Sequence, residues 1–318
     1  MVNIMKLISF GPVPSRRLGQ SLGINNIPPK NCTYSCIYCQ IGRTLNMHID
    51  PQTFYEPKEI LEDVKKKVKE AKSKKESIDY LAFVPDGEPT LDINLGEEIE
   101  MLDSLGIKIA VITNSSLLWK KDVRENLCKA DWVSLKIDAI NQEIWKKIDR
   151  PYGSLKLDRI LEGISEFSRA FDGDLVTETM LIKEANDSVK ELESIADFIS
   201  GLNTKKSYIS IPIRPPAEKW VKPADEHMIN MAYQIYKEKY IDVECLIGYE
   251  GNSFAFTRNV EEDLLSITSV HPMRKEGVEI FLQKANANWE IINRLISEKK
   301  LIKLQYRGKE FYMKKIRN

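Results

Sequence analysis

Asn31-Cys32-Thr33-Tyr34-Ser35-Cys36-Ile37-Tyr38-Cys39 is the stretch around which the rest of the chain is arranged. Its cysteines fall at Cys32, Cys36 and Cys39, a C-x3-C-x2-C spacing. Iron–sulfur clusters are held by cysteine thiolates, and a [4Fe–4S] cube normally takes four of them. No fourth cysteine follows within reach in sequence. Three thiolates this close can hold three corners of a cube and leave one iron open to a ligand from outside the protein. Two other uses compete. A zinc site usually takes four ligands from paired Cys or Cys/His spacings, and no second pair occurs. A disulfide would leave one of the three thiols over, and it suits a secreted chain better.

Outward from that loop, composition narrows the class. A chain of 318 residues fits a barrel with a small appendage, and 42% hydrophobic residues supply a core. Five cysteines, three of them clustered, are not a disulfide framework. Residues 1–10 lack the apolar core and cleavage site of a leader. No apolar run reaches the ~18 residues of a membrane span. A cytoplasmic, reducing location is expected. Net charge is zero but unevenly spread. Residues 271–318 hold 12 Lys/Arg and 5 Asp/Glu, a balance of +7, so the rest carries −7. That asymmetry suits an acidic partner such as nucleic acid or a solvated lysine-rich surface.

Before the cysteines, residues 11–30 are punctuated by glycine and proline and read as a turn-rich lead-in, with a short strand at 22–27. Ser15, Arg16 and Arg17 suit either an anion clamp or an ion pair with a nearby acid. After the cysteines, apolar runs of strand length at 78–84, 108–113, 132–138, 175–183 and 207–213 alternate with helical patterns. The helices are expected at 57–73, 93–105, 120–129, 142–148, 154–171, 188–202 and 223–240. Strands alternating with helices mean parallel βα units that curl one way. Six strands do not close an eight-stranded barrel, so an α/β fold with a partial (β/α)6 barrel is expected.

Chemistry in such barrels gathers where strands end. Pro85-Asp86-Gly87-Glu88-Pro89-Thr90 follows the strand at 78–84. Gly87 permits a close backbone approach to a ligand, and Glu88 can accept from an ammonium group. Thr113-Asn114-Ser115-Ser116 ends the strand at 108–113. Its side chains suit a ribose or carboxylate, while Ser115 or Ser116 suits the N-cap of a helix near Trp119. Alternation puts Ser134, Lys136 and Asp138 on one face. They suit a charged ligand, or a buried pair of Lys136 with Asp138 or Glu178. Glu178 is a candidate ligand or catalytic group. Arg214, in the rigid Pro212-Ile213-Arg214-Pro215-Pro216 turn, is a candidate anion anchor. Cys128 reads as core. Cys245, in the stretch 241–247 before a Gly248-Tyr249-Glu250-Gly251 turn, is a candidate hydrogen-atom donor.

The cysteine triad resembles the signature of the radical S-adenosylmethionine (SAM) superfamily. The resemblance covers residues 11–250 and is most specific at the triad. It implies a [4Fe–4S] cluster on Cys32, Cys36 and Cys39, with SAM on the open iron and Tyr38 near the adenine. Gly87 and Glu88 match a Gly-Gly-Glu-Pro motif that meets the SAM amino group, with Asp86 where the first glycine usually stands. Thr113 and Asn114 match a Thr-Asn-Gly ending, and Ser134 and Lys136 would contact the SAM carboxylate or ribose. The implied activity is reductive cleavage of SAM to methionine and a 5′-deoxyadenosyl radical, which takes a hydrogen atom from a substrate. A ferredoxin or flavodoxin would supply the electron. Within the superfamily the chain is similar to an uncharacterised group related to the wyosine-base (tRNA) synthase, but it lacks that enzyme's additional cluster cysteines.

Residues 1–255 are thus read as the barrel with its lead-in, and 256–318 as a small basic domain. There, helices at 263–267, 274–283 and 288–298 precede alternating stretches at 301–305 and 310–316 around an Arg307-Gly308-Lys309 turn. This pattern resembles a winged helix, whose third helix and wing approach nucleic acid. Asn286, Asn288, Trp289, Asn293, Arg294, Lys299, Lys303, Arg307 and Lys309 are its candidate contacts. The module could equally pack on the barrel or grip a protein. RNA, a protein or peptide, and a small metabolite all stay open as substrate. An iron–sulfur sensor that binds DNA, without SAM cleavage, is a more distant alternative.

Overall fold

The structure, a computed structural model, describes residues 8–248, 254, 259–270 and 272–315. The chain enters as β1 (Ser9–Ser15) and β2 (Gly19–Ile24), then passes two short paired pieces, β3 (Asn31–Cys32) and β4 (Asn46–Met47). Helix α1 (Pro57–Ser73) leads to β5 (Tyr80–Phe83), α2 (Leu95–Asp103) to β6 (Lys108–Thr113), and α3 (Lys121–Leu127) to β7 (Trp132–Lys136). Then come α4 (Gln142–Asp149), α5 (Leu157–Ala170), β8 (Asp174–Met180), α6 (Val189–Ser200), β9 (Lys206–Ser210), α7 (Glu226–Glu238) and β10 (Val243–Leu246). One eight-stranded sheet results, in the order β1-β2-β5-β6-β7-β8-β9-β10. Its pairs are parallel from β2 onward, and β1 runs antiparallel to β2.

Helix patterning explains the outer layer. In α1, Pro57 takes the first turn, where its missing N–H costs nothing, and Ile60, Val64 and Val68 recur four apart on the buried face. Each such side chain contributes about 1.5–3 kcal/mol by leaving water. On the concave side, Leu18, Ala82, Ala110, Trp132, Val176, Tyr208 and Leu246 form a separate apolar cluster that fills the inside of the curled sheet.

The strand count differs from the expected six. Seven strands are parallel, because the stretch holding Cys245 joins the sheet as β10, and an eighth, β1, forms from the lead-in. Pro12 and Pro14 lack N–H donors, which hid β1 in the sequence; proline is tolerated on an edge strand. Gly11, at φ +93°, sits in the irregularity between Phe10 and Val13. The turn expected at 248–251 runs outside the described residues, as does the end of the strand expected at 310–316.

Beyond the barrel, α8 (Val260–Val270), β11 (Met273–Arg274), α9 (Lys275–Lys284), α10 (Glu290–Ser297), β12 (Leu301–Tyr306) and β13 (Lys309–Lys314) follow. Their three strands form a small sheet in the order β11-β13-β12. Phe10 and Val13 of β1 share one core with Phe254, Leu264, Ile267, Phe281 and Ile292. A buried ion pair of 2.9 Å between Lys67 and Asp263 ties α1 to α8. The hairpin of β12 and β13 reaches the mouth of the barrel, where Tyr306 Oη donates to Pro212 O at 2.8 Å. A cavity of about 270 Å³ separates Ile302, Leu304 and Met313 from Gly42 and Pro216. Among the described residues no helix is long and apolar enough to cross a membrane.

Candidate metal centre

The cysteine loop leaves β3 and folds over the carboxyl ends of the strands. Ser35 N and Ile37 N donate to Asp149 O and Ile148 O at 3.0 and 2.9 Å, which hangs the loop on the end of α4. On the other side Lys30 N donates to Asp86 O at 2.7 Å, and Glu88 N to Asn31 O at 3.1 Å. Gly87 is needed here. A Cβ at this position would lie 1.8 Å from Asn31 O. The close backbone approach read from the sequence is therefore an approach to the cysteine loop itself.

Cys32, Cys36 and Cys39 line one cavity of about 170 Å³ together with Lys30, Tyr34 and Asp86. Burial raises all three thiols; Cys32 is pushed up to about 12 by desolvation, with the Glu88 carboxylate adding to it. Buried thiols keep their protons unless a metal replaces them. Three thiols facing one cavity, in a loop pinned on both sides, fit a cube held at three corners. Burial likewise lifts Asp86, to about 6, while Lys314 and Lys30 pull it back.

Glu88 is wholly engaged within the chain. Its Oε1 accepts from Thr90 N at 3.1 Å, Thr90 Oγ1 at 2.6 Å and Thr113 Oγ1 at 2.6 Å. Its Oε2 accepts from Asn114 N at 2.7 Å. Asn114 Nδ2 in turn donates to Thr33 Oγ1 at 2.8 Å and reaches Cys32 Sγ at 3.5 Å. Four of the expected site residues, Cys32, Glu88, Thr113 and Asn114, thus form one continuous network. The N-cap expected of Ser115 or Ser116 is not found. Helix α3 starts later, at Lys121, with Lys120 before it. Ser115 has φ +69°, and Ser116 Oγ lies 2.6 Å from Thr33 Oγ1, because the Asn114 side chain bends the backbone by accepting from Ser116 N at 3.0 Å.

The inner wall carries the charged residues. Lys136, Glu178 and Tyr208 lie side by side across β7, β8 and β9, and Ser134 lies buried one turn of the pleat below. Lys136 Nζ donates to Glu178 Oε1 at 3.0 Å and lies 3.8 Å from Asp138 Oδ1. Both expected pairs therefore exist. Ser210 Oγ also donates to Glu178, at 2.9 Å, and Arg17 pairs with its other oxygen. Of the two uses weighed for the arginines, Arg17 takes the ion pair. Desolvation lowers Lys136 despite the Asp138 carboxylate beside it. Tyr38 donates to Asp138, and Lys136 Nζ lies 5.2 Å above the Tyr38 ring. Arg214 Nη1 donates to Gln40 Oε1 at 2.8 Å, next to Cys39.

Two expectations about cysteines fail. Cys245 packs beside Ile209 in the helix-side core, while its strand neighbour Leu246 faces inward. It points away from any substrate inside the barrel. Cys128 is exposed at the end of α3, since the helix stops at Leu127. One site residue had no sequence signal. Asp149 is buried at the end of α4, where its Oδ1 accepts from Cys36 Sγ and Tyr38 Oη, both at 3.4 Å. Burial, with Asp138 nearby, holds its carboxyl well above the usual range. In sequence it is one acid in a charged helix end.

A family model described as the radical SAM superfamily matches residues 26–199, the span that contains the three cysteines, Glu88, Thr113, Asn114, Lys136 and Glu178. The chain belongs to the radical SAM superfamily. It is 49% identical to the UPF0026 protein MJ1312 of Methanocaldococcus jannaschii, over 98% of this chain and 97% of that one. Among solved structures, a radical SAM methyltransferase from Sphaerobacter thermophilus aligns with a TM-score of 0.54 at 16% identity, covering 71% of this chain and 66% of that one. This likeness concerns the fold. A structure of TYW1 with a lysine-pyruvate adduct reaches a TM-score of 0.49 at 17% identity, covering 69% of this chain and 73% of that one. The chain is a radical SAM enzyme.

Proposed function

We propose that Cys32, Cys36 and Cys39 hold one [4Fe–4S] cluster with SAM on its open iron, and that hydrogen abstraction takes place inside the barrel. The shared cavity of the three thiols carries this reading. When bound, that pair supplies a 5′-deoxyadenosyl radical. The chain's residues bind and orient. Glu88 fixes Asn114 and Thr113 at the cavity edge, Tyr38 offers an aromatic face, and Ser134 and Lys136 offer polar contacts from the strands. Arg214 braces the loop after Cys39 through Gln40. Glu178, held by Arg17, Lys136 and Ser210, is a charged platform for the substrate. Anaerobic reconstitution followed by SAM and dithionite should yield 5′-deoxyadenosine. Wild-type protein that binds only zinc, or a cluster fully ligated by protein, would remove the basis of the reading.

The order of helices and strands after residue 256 supports a winged-helix-like module. We read its hairpin as a lid and the substrate as a small molecule or peptide. Two observations support this: Tyr306 rests on Pro212 at the mouth, and several basic residues of the module are paired within it. Lys303 pairs with Glu310, Lys300 with Glu261 and Glu298, and Lys309 with Glu276. An RNA substrate is the second reading, supported by the +7 balance of residues 271–318. Salt-sensitive co-purification of RNA would favour it.

A further inference from the structure

Lys30, just before the cysteine stretch, is placed unfavourably on two counts. The residue is only 7% exposed, and it lines the cavity of Cys32, Cys36 and Cys39. Taking an ammonium out of water is costly unless an opposite charge meets it. Among the described residues, Lys30 Nζ nevertheless makes no hydrogen bond and no ion pair. The backbone is the second count. Its φ is +67°, a left-handed conformation that a residue with a Cβ rarely adopts. Three hydrogen bonds hold it there. Lys30 N donates to Asp86 O at 2.7 Å, and Lys30 O accepts from Leu45 N and Asn46 N at 3.2 and 3.0 Å. The ammonium rests on the turn after Cys39. A Cβ on Gly42 would lie 3.0 Å from Lys30 Nζ, and Gly42 N donates to Cys39 O at 3.1 Å. The groups that draw the ammonium are Cys39 first and the Asp86 carboxylate second. Asp86 itself is drawn more to Lys314 of β13. Strain of this kind, held in place by its surroundings, collects at functional sites.

We propose that Lys30 is the buried counter-charge of the cluster and sets its reduction potential. The proposal rests on the cluster reading of Cys32, Cys36 and Cys39. A 2+ core on three thiolates carries one net negative charge, and one electron from a reductant such as dithionite makes it two. Lys30 therefore attracts the reduced state more strongly than the oxidised one and raises the potential. One unit charge acting over about 10 Å at an effective dielectric of about 20 shifts such a balance by at least about tenfold. An ammonium already bonded to a carboxylate would lose most of that effect, which is why the unbonded state of Lys30 matters. Lys30 is in this sense a positioning residue. It acts through the cluster and needs no contact with SAM or substrate.

The test uses the full chain with Lys30→Met, which removes the charge at similar length, and Lys30→Arg, which keeps it. Potentials are read by electron paramagnetic resonance in anaerobic redox titrations of reconstituted protein without SAM. At the wild-type midpoint the ratio of reduced to oxidised cluster should fall about tenfold in Lys30→Met, a shift of about 59 mV to lower potential. Lys30→Arg should stay within about twofold of wild type. The metal-free proteins give a second readout. Lys30→Met should melt at a higher temperature than wild type, since it buries no charge. A purely structural lysine predicts the reverse, a lower melting temperature and an unmoved potential. An unmoved potential in Lys30→Met, or the same shift in Lys30→Arg, would overturn the proposal. So would a shift that arises only once SAM is added, because the ammonium would then serve SAM. Reconstituted wild type that yields no cluster signal at all would instead defeat the cluster reading on which the proposal rests.

Discussion

Glu88 shows how one carboxylate serves the fold before it serves a ligand. Four donors from Thr90, Thr113 and Asn114 satisfy it, so the ends of β5 and β6 are locked together. Glu88→Gln places an amide N–H₂ against at least one of those donors, and a buried clash of this kind costs about 1–3 kcal/mol. Urea denaturation should show that loss, and an unchanged midpoint would contradict the network. Gly87→Ala should cost about 2–4 kcal/mol, because Asn31 O occupies the space its Cβ would need. Its signature is a lower melting temperature together with poorer iron loading, since the displaced neighbour is the cysteine loop. The sequence pointed to both residues but for a partner outside the chain; their partners within it are set by three-dimensional contact.

At the scale of elements, α2 carries an unusual burden. Glu98 on its inner face lies buried against Asp92, and desolvation lifts both carboxyls well above their ordinary values, with Asp92 further raising Glu98. The folded state therefore keeps a proton that the unfolded chain releases. That contribution is complete at acid pH, below the unfolded values, and is lost as pH rises through the raised ones. Glu98→Gln removes the titration. Its stability should exceed that of wild type at about pH 8, with a flatter slope down to about pH 5, in denaturant titrations at both ends. Wild type and variant running parallel across that range would refute the shared proton. Helix and strand periods revealed most of these elements to within a few residues. They missed β1, whose prolines mimic a loop, and β10, too short to stand out.

The whole molecule has its two parts grown together. Phe10 and Val13 from the first strand complete the core beneath α8 and α9, and Lys67 meets Asp263 across the join. Calorimetry should give one cooperative transition for the entire chain. Phe10→Ala should cost about 3–5 kcal/mol and loosen hydrogen-exchange protection in α9 and in the barrel alike. Two separate transitions, or loosening confined to the barrel, would show that the parts fold apart. The sequence pattern changes near residue 255, yet one core joins residues from both sides of that point.

By itself the sequence determined the cysteine spacing, the βα alternation and hence the parallel sheet, because each is a local period or a fixed covalent interval. Only the tertiary structure decided that Asp149 sits on Cys36, that Arg17 enters the barrel to meet Glu178, and that Cys245 faces away. Those outcomes depend on which distant strands and loops come into register, and no local pattern encodes the meeting of residues more than a hundred positions apart.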